Sequence, residues 1–310
     1  MKRIAASRIA ASVGLITLLL LGGPAARVQS QTPASSAVKR APSLILPNKA
    51  DSVRFAVIGD TGTGSAQQRE LAEVMVQYHA VFPFEFVLMM GDNLYGGGKA
   101  EDFEEKFAQP YKKLLDAGVK FHAALGNHDN SNQRSYKAFN MEGKEYYTFK
   151  KGGVRFFALN SNYMDPRQIK WLEDELKNSG ADWKICFFHH PPYSSGEKHG
   201  SDTELRKIIE PLFIKYSVDV VFSGHEHFYE RLKPQEGIYY FISGAGGKLR
   251  TEGVKSTNLT AKSFDQDQHF MLIEIAGDKM HFQVISRGGK TVDSGALPRL
   301  DQKERASSLK

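Results

Sequence analysis

Five short apolar segments of this chain each end directly in a turn that carries Asp, Asn or His, and this order restricts its fold most. They have the length and composition of buried strands: Val53–Ile58, Phe86–Met90, Lys120–Leu125, Trp183–Phe188 and Val218–Phe222. Between several strands, apolar residues recur with helical periodicity, over Ala66–Tyr78, Asp102–Leu115, Pro166–Lys177 and Thr203–Tyr216. Strands alternating with helices predict a layered α/β fold.

Further strands are predicted outside this series. One is Val154–Asn160, and those after Phe222 are not separated by helices: Gly237–Ile242, His269–Ile275 and Lys279–Ile285, with a closing strand within residues 287–300. The strand-rich end of the chain predicts a second sheet, which packs in the same domain.

The turns that follow the five strands contain groups that bind metal ions. They hold Gly59-Asp60, Gly91-Asp92, Gly126-Asn127-His128-Asp129, His189-His190 and Gly224-His225-Glu226-His227. In α/β sheets, ligands gather at the carboxyl ends of the strands, so these side chains are expected at one edge. Each motif alone also fits an ordinary turn, but their joint occurrence predicts a site with two metal ions.

The donor types suggest how two ions would share the site. A pair about 3.5–4 Å apart needs a bridging ligand, and the carboxylate of Asp92 fits that role. Asp60, Asp92, a tyrosinate and one imidazole form a ligand set that suits a hard ion. The second ion would take Asp92, Asn127 and two imidazoles.

These motifs resemble the purple acid phosphatases of the calcineurin-like metallophosphoesterase superfamily, and the chain looks closest to their small, tartrate-resistant type. The resemblance rests on Asp60-x-Gly62, Gly91-Asp92-x-x-Tyr95, Gly126-Asn127-His128, Cys186-x-x-His189 and Gly224-His225-x-His227. It implies an αββα sandwich of two mixed sheets flanked by helices. Ordinary members of the superfamily have His where this chain has Gly62, and Tyr95 would replace that histidine as a ligand.

The resemblance also implies a ligand set for each ion and an activity. The Fe(III) ligands would be Asp60, Asp92, Tyr95 and His227, and a divalent Fe, Zn or Mn ion would take Asp92, Asn127, His189 and His225. A hydroxide bound to the metals would attack a phosphomonoester in acid solution. His128 and His199 would contact the phosphate and protonate the leaving group.

The residues beside the ligands are given supporting roles. Asp129 is expected to act from behind the metal ligands, and the alternative for His128 is a purely structural loop histidine held by Asp129. His190 is expected to be a packing residue, and Glu226 should point away from the metals because side chains alternate along an extended segment.

The N-terminus indicates export. Basic residues precede an uncharged run, Ile9–Leu21, and small residues follow it, which is the order of a secretory signal peptide. The predicted organisation is a signal peptide at residues 1–26, a flexible linker at 27–50, a metallophosphoesterase domain at 51–300 and a polar tail at 301–310. An uncleaved anchor, or cleavage after Ser30, is the alternative. The mature protein is expected to be secreted or periplasmic, without stable membrane association.

The charge distribution argues against nucleic acid as a partner. The chain has 41 basic and 35 acidic residues, but its first 50 residues hold seven basic residues and no acid. The remainder therefore carries 34 basic against 35 acidic residues and offers no broad basic surface. The expected partners are small phosphomonoesters. A diesterase or nucleotide hydrolase with two divalent ions, and a binding protein without turnover, are the competing hypotheses.

Overall fold

The structure, a computed structural model, describes residues 42–96, 99–180, 182–255 and 257–300. The predicted signal peptide, the linker as far as residue 41 and the polar tail lie outside the described residues. None of the helices in the described ranges combines the length and the apolar character needed to cross a membrane.

Thirteen strands in the described ranges form two mixed sheets. Their bounds are β1 Val53–Ile58, β2 Phe86–Met89, β3 Lys120–Ala123, β4 Tyr147–Lys151, β5 Val154–Ala158, β6 Trp183–Phe187, β7 Val220–Ser223, β8 Tyr229–Leu232, β9 Tyr239–Ser243, β10 Thr260–Phe264, β11 His269–Ala276, β12 Lys279–Ser286 and β13 Thr291–Pro298. The first sheet has the order β13-β12-β11-β1-β2-β3, and the second has the order β10-β8-β9-β7-β6-β5-β4. Within them, β1, β2 and β3 run parallel, as do β5, β6, β7 and β9.

Five α-helices accompany the strands in the described ranges. They are α1 Ala66–Val81, α2 Ala100–Phe103, α3 Lys112–Asp116, α4 Pro166–Lys177 and α5 Thr203–Lys215. The buried side chains of α1 pack in the core cluster of the first sheet, and those of α4 and α5 pack against the second sheet. Two mixed sheets with flanking helices confirm the predicted fold class.

The two sheets meet through aromatic side chains. The ring of Phe55 in the first sheet contacts Phe156 in the second edge-on, with 5.3 Å between the ring centroids. The next residue, Phe157, belongs to the other core cluster, under the helices of the second sheet. Alternate residues of β5 thus face opposite layers, as the twofold period of a strand requires.

The predicted helix Asp102–Leu115 is wrong as a continuous helix. Pro110 has no N–H to donate to the carbonyl of Lys106, four residues earlier, and its ring obstructs regular helix geometry. The segment instead forms α2, a π-helical turn at Glu104–Ala108, and α3. The carbonyl oxygen of Lys106 accepts a hydrogen bond from the side chain of Gln68 at 2.6 Å.

The end of the predicted linker is attached to the first sheet. The backbone N–H groups of Asn48 and Lys49 donate to the carboxylate of Glu274 at 2.7 and 2.6 Å. Leu46 is buried in the core. The attached part of the chain therefore begins several residues before Asp51.

One largely buried histidine makes the stability of the fold sensitive to acid. His122 on β3 stacks on Phe149 with 3.9 Å between the ring centroids, and its Nδ1 has no hydrogen-bond partner among the described residues. Burial lowers the pKa of His122 to about 4, so the folded state keeps the ring neutral where the unfolded chain binds a proton. Between pH 7.5 and 4.5 this group should remove about 2.5 kcal/mol from the free energy of unfolding.

Replacing His122 with Phe should reduce that loss. We expect denaturant unfolding of wild type and His122→Phe, each measured at pH 7.5 and 4.5, to show a smaller acid-induced decrease for the variant. Other titrating groups cancel in this comparison. Equal decreases in both proteins would contradict the assignment.

Candidate metal centre

The structure brings all seven predicted metal-ligand residues to one edge of the sandwich. The loops after β1, β2 and β3 in the first sheet and after β6 and β7 in the second position them: Asp60, Asp92, Tyr95, Asn127, His189, His225 and His227. Because the strands before these loops run parallel within each sheet, their carboxyl ends carry the loops to a common place.

One half of the site groups Tyr95, Asp60 and His227. The phenolic oxygen of Tyr95 lies 3.1 Å from Oδ1 of Asp60 and 3.2 Å from Nε2 of His227. The same His227 nitrogen lies 3.5 Å from Oδ1 of Asp60. Three donor atoms thus face one another.

The other half is centred on His189, which is fully buried. Its Nε2 lies 3.0 Å from Oδ1 of Asn127, 3.1 Å from Nδ1 of His225 and 3.5 Å from Oδ1 of Asp92. Its Nδ1 lies 2.8 Å from the carbonyl oxygen of Met90. That backbone contact leaves Nε2 facing the other donors.

The spacing of these donors fits metal ions. Ligands about 2.1 Å from one ion and about 90–110° apart are separated by roughly 3.0–3.4 Å, close to the distances in both halves. Asp60, Asp92 and His189 also offer one ligand atom each within 4.8 Å of one another. The residues present therefore fit a metal pair.

The electrostatics of the site call for cations. Asp60 and Asp92 are 0% and 1% exposed, and among the described residues their ion-pair partners are His227 and His189 rather than Lys or Arg. Burial, together with the neighbouring Asp92, raises the pKa of Asp60 well above its usual range. Burial lowers the pKa of His225 to about 2 and that of His227 to about 4. Neutral imidazoles beside carboxylates with no basic partner form a set that a cation would complete.

The backbone is strained at three of these residues. Asp60, Asp92 and His225 have φ values of 55°, 51° and 68°, in the left-handed region that favours glycine. The turning residues in these three loops therefore include the proposed ligands themselves. Such strain is characteristic of functional sites, where the surrounding structure holds a side chain in a fixed direction.

Gly62 is required by the loop that carries Tyr95. A Cβ at Gly62 would lie 2.0 Å from the carbonyl oxygen of Asn93, and the N–H of Tyr95 donates to the carbonyl of Gly62 at 2.9 Å. Any side chain at position 62 would displace this loop. The absence of His at position 62 and the placement of Tyr95 are therefore parts of one local arrangement.

The carboxylate of Asp129 supports the ligand loops. Its carboxylate accepts hydrogen bonds from the N–H groups of Leu94 and Gly126, at 3.0 and 2.8 Å, and from the side chain of Asn93 at 2.9 Å. The backbone N–H of His128 donates to Asp92 at 2.9 Å, and its ring lies 5.1 Å from that of Tyr95. Asp129 thus joins the loops after β2 and β3.

His199 is brought to the site by Glu226. Its ring centroid lies 4.2 Å from that of His225. The buried carboxylate of Glu226 accepts from the N–H groups of His199 and Gly200, at 3.1 and 2.8 Å, and pairs with Arg250 at 2.8 Å. The carboxylate of Glu226 therefore anchors the loop of His199, and its position between two ligand residues was the sequence signal for a role at the site.

Two further residues at the site were missed by the sequence analysis. His190 was expected only to pack, yet its ring centroid lies 4.6 Å from that of His225, and it offers a nitrogen within 4.8 Å of those of His189 and His225. Lys248 places its ammonium 4.7 Å from the ring centroid of Tyr95. The doubled histidine was a usable signal for His190; no ligand motif indicated Lys248.

Comparisons with known proteins agree with the geometry. The family model for calcineurin-like phosphoesterases matches residues 53–229. The chain is 29% identical to purple acid phosphatase 17 of Arabidopsis thaliana over 70% of its own length and 75% of that protein. It is 26% identical to human tartrate-resistant acid phosphatase type 5, over 83% and 95% of the two chains.

A solved structure, titled GAP50, the anchor in the inner membrane complex of Plasmodium, aligns with a TM-score of 0.70 at 20% identity, over 83% of this chain and 93% of the other. That likeness concerns the fold alone, so an activity has to be argued from the residues of the site.

Proposed function

Since this chain belongs to the calcineurin-like phosphoesterase family, we propose that it is an acid phosphatase that hydrolyses phosphomonoesters at a dinuclear metal centre. The observation that carries the proposal is Tyr95, whose phenolic oxygen lies 3.1 Å from Asp60 and 3.2 Å from His227. A tyrosine in place of the missing histidine distinguishes the purple acid phosphatases in the resemblance described above.

The proposed ligand sets follow the two halves of the site. Asp60, Asp92, Tyr95 and His227 would hold Fe(III), and Asp92, Asn127, His189 and His225 would hold a divalent Fe, Zn or Mn ion. When bound, the two ions supply Lewis acidity, which makes a hydrolytic water acidic and offsets charge on the phosphoryl oxygens. Asp92 is the shared ligand in this assignment.

Other side chains would bind and orient the substrate. His128 and His199 would contact a phosphoryl oxygen and protonate the leaving alkoxide. The ammonium of Lys248, beside Tyr95, would attract the dianionic phosphate toward the centre. Glu226 would keep His199 in place through the backbone of its loop.

The proposed compartment is outside the cytosol, either secreted or periplasmic. The basic, apolar and small-residue order of the first 26 residues supports this proposal. The single cysteine, Cys186, is buried, so the chain has no internal disulfide that would report on the compartment.

Turnover of two related esters tests the proposed function. At pH 5, the purified protein with iron and zinc should hydrolyse p-nitrophenyl phosphate at least about tenfold faster than bis(p-nitrophenyl) phosphate. A chelator should remove nearly all of this activity, and metal addition should restore it, because the site residues would lose the cations that offset the phosphate charge. Faster diester turnover would favour the competing diesterase hypothesis, and full activity after verified metal removal would contradict the proposal.

A further inference from the structure

A polar pocket opens beside Asn127, on the side of the site that holds His189. Its volume is about 460 Å³. We call it the amide pocket, and its polar lining residues are Asn127, Asp129, Ser131, Glu145, Asn160, Asn162 and His190. Because Asn127 belongs to both the candidate metal centre and this lining, the pocket borders the place where a phosphate would react.

The frame of the amide pocket is fixed by hydrogen bonds. The side chain of Asn162 donates to the carbonyl of Gly126 at 3.0 Å, and its backbone N–H donates to Oδ1 of Asn160 at 3.1 Å. The side chain of Asn160 donates to Glu145 at 2.9 Å. These bonds hold the loop after β5 against the loop after β3.

Several polar atoms of the lining remain available. The side-chain nitrogen of Asn162 donates to two backbone carbonyls. Within the described ranges, Oδ1 of Asn162 and Oγ of Ser131 have no protein hydrogen-bond partner. Nδ1 of His190 contacts Oγ of Ser161 at 2.9 Å, and its second ring nitrogen has no such partner in the same ranges. The pocket thus offers both donors and acceptors, as alcohol hydroxyls require.

The charge of the lining argues against an ionic group in the pocket. Among the residues that the structure describes, no Lys or Arg lines it, so a second phosphate would find no cationic side chain in this lining. Glu145 is paired with Arg134 at 2.5 Å, and the oxygens of Asp129 already accept three hydrogen bonds. A neutral group with several hydroxyls fits this surface best.

We propose that the amide pocket binds the alcohol part of the substrate, and that the preferred substrates are phosphomonoesters of sugars or other polyols. This inference rests on the proposed phosphatase activity and deepens it. Hydroxyl groups would contact Ser131, Asn162 and His190 while the phosphate lies at the candidate metal centre. With a leaving group that has no hydroxyls, these polar atoms would be unpaired or hydrogen-bonded only to water.

A matched pair of substrates tests the inference. Glucose 6-phosphate and cyclohexylmethyl phosphate both release a primary alcohol from a six-membered ring, and they differ mainly in hydroxyl groups. We expect kcat/KM to be about tenfold or more higher for the sugar ester, since two or three hydrogen bonds distinguish them. Equal values, or a preference for the cyclohexyl ester, would overturn the inference.

Variants of the lining test whether the amide pocket causes the preference for the sugar ester. Ser131→Ala should lower the ratio of the two kcat/KM values by about two- to fivefold, and Ser131→Ala with His190→Phe should bring it close to one. Ser135→Ala, an exposed serine on the same 3-10 helix outside the lining, is the matched control and should leave the ratio unchanged. Since Ser131 is exposed, its variant keeps the test valid if the double variant fails to fold.

Three further outcomes distinguish a failure of the inference from a failure of the proposed function. A tenfold preference for phosphoethanolamine over glucose 6-phosphate would show that the carboxylates govern the pocket, which would overturn the inference but retain the phosphatase. If p-nitrophenyl phosphate is hydrolysed but the sugar ester is not preferred, the inference alone fails. If no ester is hydrolysed by the metal-loaded protein, the proposed function fails and the inference fails with it.

Discussion

Replacing Asp92 with asparagine should lower kcat/KM for p-nitrophenyl phosphate by about 10³-fold or more. Asp92 is the carboxylate that both proposed ligand sets share, and it is 1% exposed. Asparagine has almost the same shape and tolerates the left-handed backbone of this position, where φ is 51°. It removes the negative charge, so the affinity for the two cations should fall together with turnover.

The Asp92 experiment needs metal analysis and a stability measurement on the same samples. Asp92→Asn should bind less metal than wild type, whereas its metal-free form should unfold at about the same denaturant concentration. Asp116→Ala, which removes an exposed carboxylate paired with Lys112, is the matched control and should retain wild-type activity and metal content. Activity of Asp92→Asn near that of the control would rule out the proposed centre.

Replacing Tyr95 with phenylalanine should abolish the visible absorption of the iron-loaded protein. In the proposed assignment, the phenolate of Tyr95 would hold Fe(III), and charge transfer between them would give a purple or pink colour. Phenylalanine fills the same space beside His128 and His227 but has no oxygen to offer. The band should therefore disappear even from protein that still contains iron.

The Tyr95 experiment compares absorption spectra with metal content. Tyr163→Phe is a suitable control because Tyr163 is 72% exposed and belongs to neither proposed ligand set. A visible band that survives in Tyr95→Phe would show that another residue is the chromophoric ligand. Colourless wild-type protein with two divalent ions would argue against Tyr95 as a ligand of Fe(III) and would favour the diesterase hypothesis.

The sequence was sufficient to predict the position of the site within the fold. Strands such as Phe86–Met89 are apolar throughout because both of their faces are buried, and such a strand can be recognised from its own sequence. The residues after them were predicted at a common edge, where the structure places them. The site residues cluster because the carboxyl ends of parallel strands lie at the same edge of a sheet.

Other features depend on contacts between segments that are distant in the chain. The helix prediction across Pro110 failed because helical periodicity continued through a residue that cannot donate the next hydrogen bond. The strands β4, β8 and β10 were missed because their residues are only partly apolar and pair at or near the edge of the second sheet. The amide pocket is formed by three loops, and no local pattern in any one of them indicates it.

The proposed metal ligands come from both sheets, and this division has a consequence for maturation. Asp60, Asp92 and Asn127 follow strands of the first sheet, whereas His189, His225 and His227 follow strands of the second. Neither sheet alone presents a full ligand set, so a half-assembled chain would bind the ions weakly. Metal uptake would then follow the packing of the two sheets against each other. A stoichiometric metal content in a purified sample would therefore indicate that both sheets of each molecule had assembled.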